Sequence, residues 1–197
     1  IASCLVGSEM CIRDRIWMTL VLKPEIDPNH ASMITLVTAL AVSKAITDMT
    51  GRPASIKWPN DIIMSGKKVC GILTEMSAQF DYINNIVIGI GINVHNEAFP
   101  EEIAETASSL LLECGHRFHR ADIIEAFLEE FEEAYEVYLK TEDMEGLQED
   151  YNELLVNINR QVRVLDPKEP FEGKAMGITK KGELIVDTWE SRKLVSS

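Results

Sequence analysis

Lys57 to Asn93 reads KWPNDIIMSGKKVCGILTEMSAQFDYINNIVIGIGIN, and its last strand decides the rest. In Ile86 to Asn93 the residues alternate, so Ile86, Ile88, Ile90 and Ile92 point to one face while Val87, Gly89, Gly91 and Asn93 point to the other. The first face is β-branched core. The second carries two glycines and an amide, and glycine inside a strand weakens it unless something approaches the backbone closely. A ligand lying across Gly89 and Gly91, with Asn93 offering a donor and an acceptor, accounts for the pattern. A tight contact with another element, or a bulge, accounts for the glycines equally well.

The upstream half of the stretch adds charge. Ile62 to Met64 and Val69 to Glu75 read as two strands joined by the Ser65-Gly66 turn, with Lys67 and Lys68 entering the second strand and Gly71 interrupting its apolar run. Trp58 precedes Pro59 and is therefore pushed to an extended conformation, and Asn60-Asp61 is a turn-prone pair. Lys57 and Asp61 are thus expected on either side of a rigid corner. Lysines beside glycine-bearing strands suit an anionic ligand, because ammonium groups neutralise phosphate where bare backbone lets it approach. For any one lysine, a solvated surface turn is the plainer reading.

KWPND, then KKVCGIL, then GIGIN, in that order and spacing, resembles the catalytic domain of biotin protein ligases. The likeness extends from about Ile16 (IWMTLVLKP) to the end of the chain. It implies an α+β fold of the class II aminoacyl-tRNA-synthetase-like kind, a mixed β-sheet with helices packed on it, followed by a small SH3-like β-barrel. It also implies ATP-dependent attachment of biotin to a lysine of a biotin carboxyl carrier protein through biotinyl-5'-adenylate, with Mg2+ arriving on the nucleotide. By resemblance Lys68 is the catalytic lysine, aimed at the biotin carboxylate and the α-phosphate, and Asp61 lies near the reacting centre. Lys57, Trp58, Asn60, Gly71, Leu73, Gly89, Gly91 and Asn93 are the implied substrate-binding residues. Among them Lys57 orients phosphate or ribose and Asn93 meets adenine, and the segment around Ser108-Ser109 lies beside the nucleotide. A homodimer paired through a sheet edge is also known in the family, and this sequence leaves it open. Two other readings stay open: a lipoate ligase relative, and a chain that binds nucleotide or carrier without catalysis.

Three regions follow from these motifs: 1–15, 16–156 for the catalytic domain and 157–197 for the C-terminal domain. Ile1 to Arg15 (IASCLVGSEMCIRDR) fits neither the family nor an amphipathic period, and is expected to be non-native adapter-like sequence. It stands where the family has an arginine-rich and glycine-rich loop over biotin. Arg13 and Arg15 echo its arginines, but without its glycines that role is not carried over. Both domains are accordingly expected to be truncated.

The remaining chain reads plainly. Trp17 to Leu22 is a strand candidate ended by Lys23-Pro24. Ser32 to Met49 has helical spacing and is stopped by Gly51 and Pro53. Thr106 can cap a short helix from Ala107 to Glu113, ended by Gly115. A long helix from Arg120 to Lys140 puts Ile124, Phe127, Leu128, Phe131, Tyr135, Tyr138 and Leu139 on one face. Gln161 to Asp166, Phe171 to Ile178, Glu183 to Asp187 and Lys193 to Val195 are short strands broken by Pro167, Pro170 and Lys181-Gly182.

Of the net charge of -13, the segment from Glu97 to Glu153 carries -15, from 18 acidic and three basic residues, so the rest sums to +2. Such a surface repels DNA and excludes a nucleic-acid partner for this chain. No segment approaches the roughly 18 unbroken apolar residues of a membrane helix, so no membrane partner is expected. Cys4, Cys11, Cys70 and Cys114 form no CxxC pair and the four histidines no standard ligand spacing, so neither disulfides nor a protein-held metal are expected. A cytoplasmic location follows as the expectation.

Overall fold

A computed structural model describes residues 13–79, 82–165 and 170–196. Residues 1–12, with Cys4 and Cys11, and the strand end at Asp166 with Pro167 lie outside the described residues. Five strands form the larger sheet: β1 (Arg15–Leu22), β2 (Ser55–Lys57), β3 (Asp61–Met64), β4 (Lys67–Ala78) and β5 (Ile83–Asn93), in the order β1-β5-β4-β3-β2. The sheet expected to be mixed is antiparallel in every strand pair, with parallel contact limited to the bridges Ile56↔Leu155 and Lys68↔Ala107 among the described residues. β3 and β4 are joined by Ser65 (φ 48°) and Gly66 (φ 84°), the two left-handed residues that a tight hairpin with native twist requires.

Helix α1 (Met33–Thr50) lies against this sheet, with α3 (Arg120–Thr141) on its other side. It is buried nearly all round, from Met33 to Ile46. Its polar residues are satisfied from within: Thr38 donates to Ile34 O at 2.7 Å and Ser43 to Ala54 O at 2.8 Å, so burial leaves neither hydroxyl unpaired. By length and composition α1 is apolar enough to cross a membrane, which the count of unbroken apolar residues missed; here it is the central core helix.

The sheet's patterning follows the isoleucines. Ile86, Ile88, Ile90 and Ile92 are buried, while Val87, Gly89, Gly91 and Asn93 stand on the partly open face. Several boundaries differ from those expected. The short helix α2 is Leu110–Cys114, and its cap is Ser109, which accepts from Leu112 N, not Thr106. α3 buries Ile123, Phe127, Phe131, Ala134 and Tyr138, leaving Leu128 and Leu139 exposed. Its apolar residues span more than the core-facing arc, so periodicity alone placed the stripe's centre too far round. β2 and helix α4 (Gln148–Leu154) have no strong sequence signal.

After α4 the chain runs along the edge of β2, where Val156 N donates to Ile56 O at 2.9 Å. It then forms a second sheet, β6 (Gln161–Val164), β7 (Phe171–Ile178), β8 (Leu184–Asp187) and β9 (Arg192–Val195), in that order. Among the described residues this is an antiparallel meander with β6 and β9 at its edges, the small C-terminal β-sheet domain of the expected fold. Its β7–β8 turn touches the first domain.

Candidate active site

One row of residues crosses all five strands of the larger sheet. Trp17 opposes Gly91, Gly91 opposes Gly71, Gly71 opposes Asp61, and Asp61 opposes Lys57. On its two sides the ladder supplies Arg15 opposite Asn93, and the rung Thr19, Gly89 and Leu73. The motifs Lys57–Asp61, Lys67–Leu73 and Gly89–Asn93 thus meet on one face because β1, β2, β4 from Gly71 onward and β5 from Asn85 onward turn their odd-numbered residues to it.

Lys68 reaches this row from a register shift. The β3–β4 ladder slips between Ile62 and Ile63, and Lys68 Nζ comes to 2.5 Å from Asp61 Oδ1. The lysine side chain passes over Gly71: a Cβ there would lie 3.0 Å from both Cε and Nζ of Lys68. A side chain at 71 would therefore crowd the flexible end of Lys68, which would have to shift. The ion pair is half-exposed, with side-chain exposures of 46% for Lys68 and 22% for Asp61, so an anionic substrate can compete for the ammonium. Lys67 turns away and donates to Ala104 O, while Lys57 stands exposed at the end of the row.

The two glycines of β5 differ. At Gly91 the close neighbour is Trp17, whose ring Cζ3 would sit 2.8 Å from an added Cβ; at Gly89 the nearest atom is backbone, Leu73 O at 3.7 Å. Gly91 is a tight contact within the protein, and Gly89, with Thr19 and Leu73 on its rung and Trp17 on the next exposed one, leaves a side-chain-free trough on the sheet face. Trp17 is 63% exposed and Leu73 is 55% exposed, an unusual outlay of apolar surface on one sheet face. Trp17 was missed as a site residue. Its position opposite Gly91 was the available signal, but strand pairing is not written in the local sequence. The Arg15 guanidinium lies 5.8 Å from the Trp17 ring centroid, within cation–π range.

Asn93 and Lys68 are linked by one strap. Lys68 N donates to Thr106 O at 2.8 Å, Ser108 N donates to Lys68 O at 2.9 Å, and Asn93 Nδ2 donates to Ser108 O at 3.0 Å. The Ser108 region is thus built into the site's border through its backbone. Trp58 and Asn60 behave differently from the other expected residues. Trp58 Nε1 donates to Gly182 O at 3.1 Å, and Asn60 Nδ2 donates to Ile72 O at 2.7 Å, so both side-chain donors are used inside the protein. The Trp58–Pro59 peptide is cis.

Cys70, between Lys68 and Gly71 in sequence, points to the core, and burial pushes its thiol well above the usual range, with Lys68 opposing and Asp61 adding to the effect. It is a packing residue and not a nucleophile. No group of three His, Cys, Asp or Glu capable of holding a metal occurs among the described residues, and the row's one carboxylate, Asp61, is held by Lys68. These residues do not fit a resident metal ion. A cavity of about 770 Å³ lies at the opposite end of the sheet, lined by Lys23 to Asn29 and Tyr82 to Asn84, away from all of these groups.

Residues 12–93 match the profile described as the biotin/lipoate A/B protein ligase family, and residues 158–197 match the biotin protein ligase C terminal domain. The chain is homologous to biotin protein ligases over its catalytic and C-terminal parts. The chain is 38% identical over 184 residues to the bifunctional ligase/repressor BirA of Bacillus spizizenii, a match covering 92% of the chain and 56% of that protein. It spans about half the length of the curated BirA relatives it matches. The fold is shared with the biotin protein ligase of Aquifex aeolicus in its apo form, at TM-score 0.84 and 27% identity, covering 93% of this chain and 80% of that one. The same Aquifex protein in complex with biotin and ATP superposes at TM-score 0.81, again at 27% identity, covering 93% of this chain and 76% of that one. The row from Trp17 to Lys57 lies within the segment matched to the ligase family.

Proposed function

We propose that this face joins biotin to a lysine of a biotin carboxyl carrier protein in two steps, with MgATP as co-substrate. In the first, a biotin carboxylate oxygen attacks the α-phosphorus of ATP; the bond to the β,γ-phosphates breaks, giving biotinyl-5'-adenylate and pyrophosphate. In the second, the carrier lysine's neutral amine attacks the acyl carbon, AMP leaves, and the amine loses its proton. The observation that carries this reading is the Lys68 ammonium laid across Gly71 beside Asp61, in the middle of a glycine-bearing sheet face whose other row charge is the cation Lys57.

Each group has work suited to its place. The first step brings two anions together, and a fixed ammonium offsets both their repulsion and the charge that develops on the α-phosphate oxygens. Lys68 exchanges Asp61 for those oxygens and keeps its charge. The freed Asp61 carboxylate is then placed to orient the incoming amine and accept its proton. Trp17 and Leu73 wall the Gly89 trough, where apolar rings are held away from water. Lys57 stands exposed at the row's outer end, suited to phosphate or ribose, and Asn93 borders the strap where a base edge would lie. The magnesium arrives with the nucleotide as part of the substrate. The free thiols Cys70 and Cys114 suit a reducing cytoplasm, and β1, at an edge of the sheet, offers the strand that pairing of two copies would use.

The test is mass spectrometry of a carboxylase carrier domain after incubation with the chain, MgATP and biotin, beside Lys68→Ala. A biotin-sized mass gain that disappears in the variant is expected. No gain from a folded chain would overturn the reading, a lipoate-sized gain with lipoate alone would point to the lipoate branch of the family, and nucleotide binding without any transfer would leave a binding fragment.

A further inference from the structure

The corner from Lys57 to Asp61 is held at two points that face away from the ligand trough. On one side Asn60 brackets Ile72 of β4: its Nδ2 donates to Ile72 O at 2.7 Å, and its O accepts from Ile72 N at 3.0 Å. On the other, Trp58 Nε1 donates to Gly182 O, in the β7–β8 turn of the second sheet. Asp61 leaves the corner directly after Asn60 and meets Lys68.

The turn that supplies the Gly182 carbonyl is itself pinned. Gly182 N donates to Thr179 O, Thr179 N donates to Glu183 O, and Met144 N donates to Lys180 O at 2.7 Å. Ile178 N donates to Asn152 Oδ1, and Gln148 Nε2 donates to Ile178 O. Gly182 has φ +77°, and a Cβ on it would stand 2.4 Å from Leu36 Cδ1 and 3.2 Å from Met33 Cγ on α1. The turn therefore presses on the core helix by bare backbone and presents one carbonyl to the indole. Trp58 is half-buried, and its ring carries a single donor, which is used here.

We propose that Trp58 is a positioning residue: its indole N–H, held by the Gly182 carbonyl, fixes the corner that sets Asp61 and thereby aims Lys68 for adenylate formation. This rests on the reaction proposed above and assigns Trp58 a part in it without contact to biotin or nucleotide. The hydrogen bond joins two neutral groups, so its loss costs severalfold in rate, and the loss falls on the chemical step because the corner acts through Lys68.

The experiment is a double-mutant cycle on biotin-dependent pyrophosphate release, using the full chain, Trp58→Phe, Asp61→Asn and the pair, with active sites counted by titration. Trp58→Phe removes the N–H together with part of the indole ring. It is expected to lower kcat about fivefold with KM for biotin within twofold, and to change kcat less than twofold when Asp61→Asn has already broken the link. Gly182→Ala, which must move the turn off Leu36, is expected to reproduce the Trp58→Phe loss. Equal losses in both backgrounds, or no loss, would overturn the proposal. If the unmutated chain releases no pyrophosphate, the reaction reading fails by itself, and hydrogen exchange decides the positioning claim. Trp58→Phe should then speed exchange at the Ile72 amide about fivefold while leaving Ile90 unchanged, and an unchanged Ile72 overturns it.

Discussion

A methyl group on Gly71 would meet Lys68 Cε and Nζ at 3.0 Å, so the strand and the lysine that crosses it share one volume. Gly71→Ala forces the lysine tip to move, and that tip is the flexible end of a half-exposed side chain. The expected result is about a tenfold fall in kcat for adenylate formation, equivalent to roughly 1.4 kcal/mol. The melting temperature should shift by no more than about 4 °C, the range roughly 1 kcal/mol produces in a chain of this size. Pyrophosphate release and a thermal melt on the same sample check both halves. A large loss of stability with unchanged kcat per folded molecule would show that Gly71 serves the strand alone.

Gly91 makes a different demand. An added Cβ would stand 2.8 Å from Trp17 Cζ3, and the ring, being exposed, can swing aside. Gly91→Ala is expected to raise KM for biotin about tenfold while kcat changes less, since the wall of the trough binds ground state and transition state alike. Steady-state kinetics over a range of biotin concentrations reads the split. A fall in kcat with KM unchanged would place Trp17 at the reacting centre instead.

Glu130 on α3 faces α1, where Lys44 and Asp48 lie near it, with Glu129 and Glu133 on its own helix. Burial first, then Asp48, Glu133 and Glu129, raise its carboxyl above the ordinary 4.5, against the lowering influence of Lys44. The folded chain therefore favours the protonated form. The stability this group contributes is present below 4.5 and is lost as pH rises through the folded-state value. Glu130→Gln should melt higher than the unmutated chain at pH 7, and the gap should close below pH 4.5. Denaturation curves at the two pH values measure it, and an equal gap at both would remove Glu130 from the pH response.

The sequence revealed the site's parts better than their assembly. The alternation of Ile86 to Asn93 set the core face and the partly open face correctly because period-two burial is a local property. The corner between Lys57 and Asp61 was also visible, since Pro59 and Asn60-Asp61 punctuate the chain there, while the direct opposition of the two residues came only from the structure. Trp17 was not visible as a site residue, because its partner Gly91 lies far along the chain and only strand pairing brings the two together. The Lys68–Asp61 contact depends on a slip in the β3–β4 ladder, which no residue pattern announces. On α3, Leu128 and Leu139 fitted the apolar period yet remain exposed, since α1 offers a surface only as wide as Ile123, Phe127, Phe131, Ala134 and Tyr138. α4 escaped notice because seven residues carry too little periodicity to be read.

The row from Trp17 to Lys57 has a bearing on how this sheet tolerates change. Moving any one strand along its neighbour by a single residue would turn its buried side chains to the open face and its glycine or charge to the core. In β5 that exchange sets Ile90 where Gly91 was; in β4 it sets Ile72 where Gly71 was. The apolar residues that make the sheet cohere thus also act as its proofreader. A chain that folds with its isoleucines inside has, by the same act, excluded the single-residue slips that would break the row.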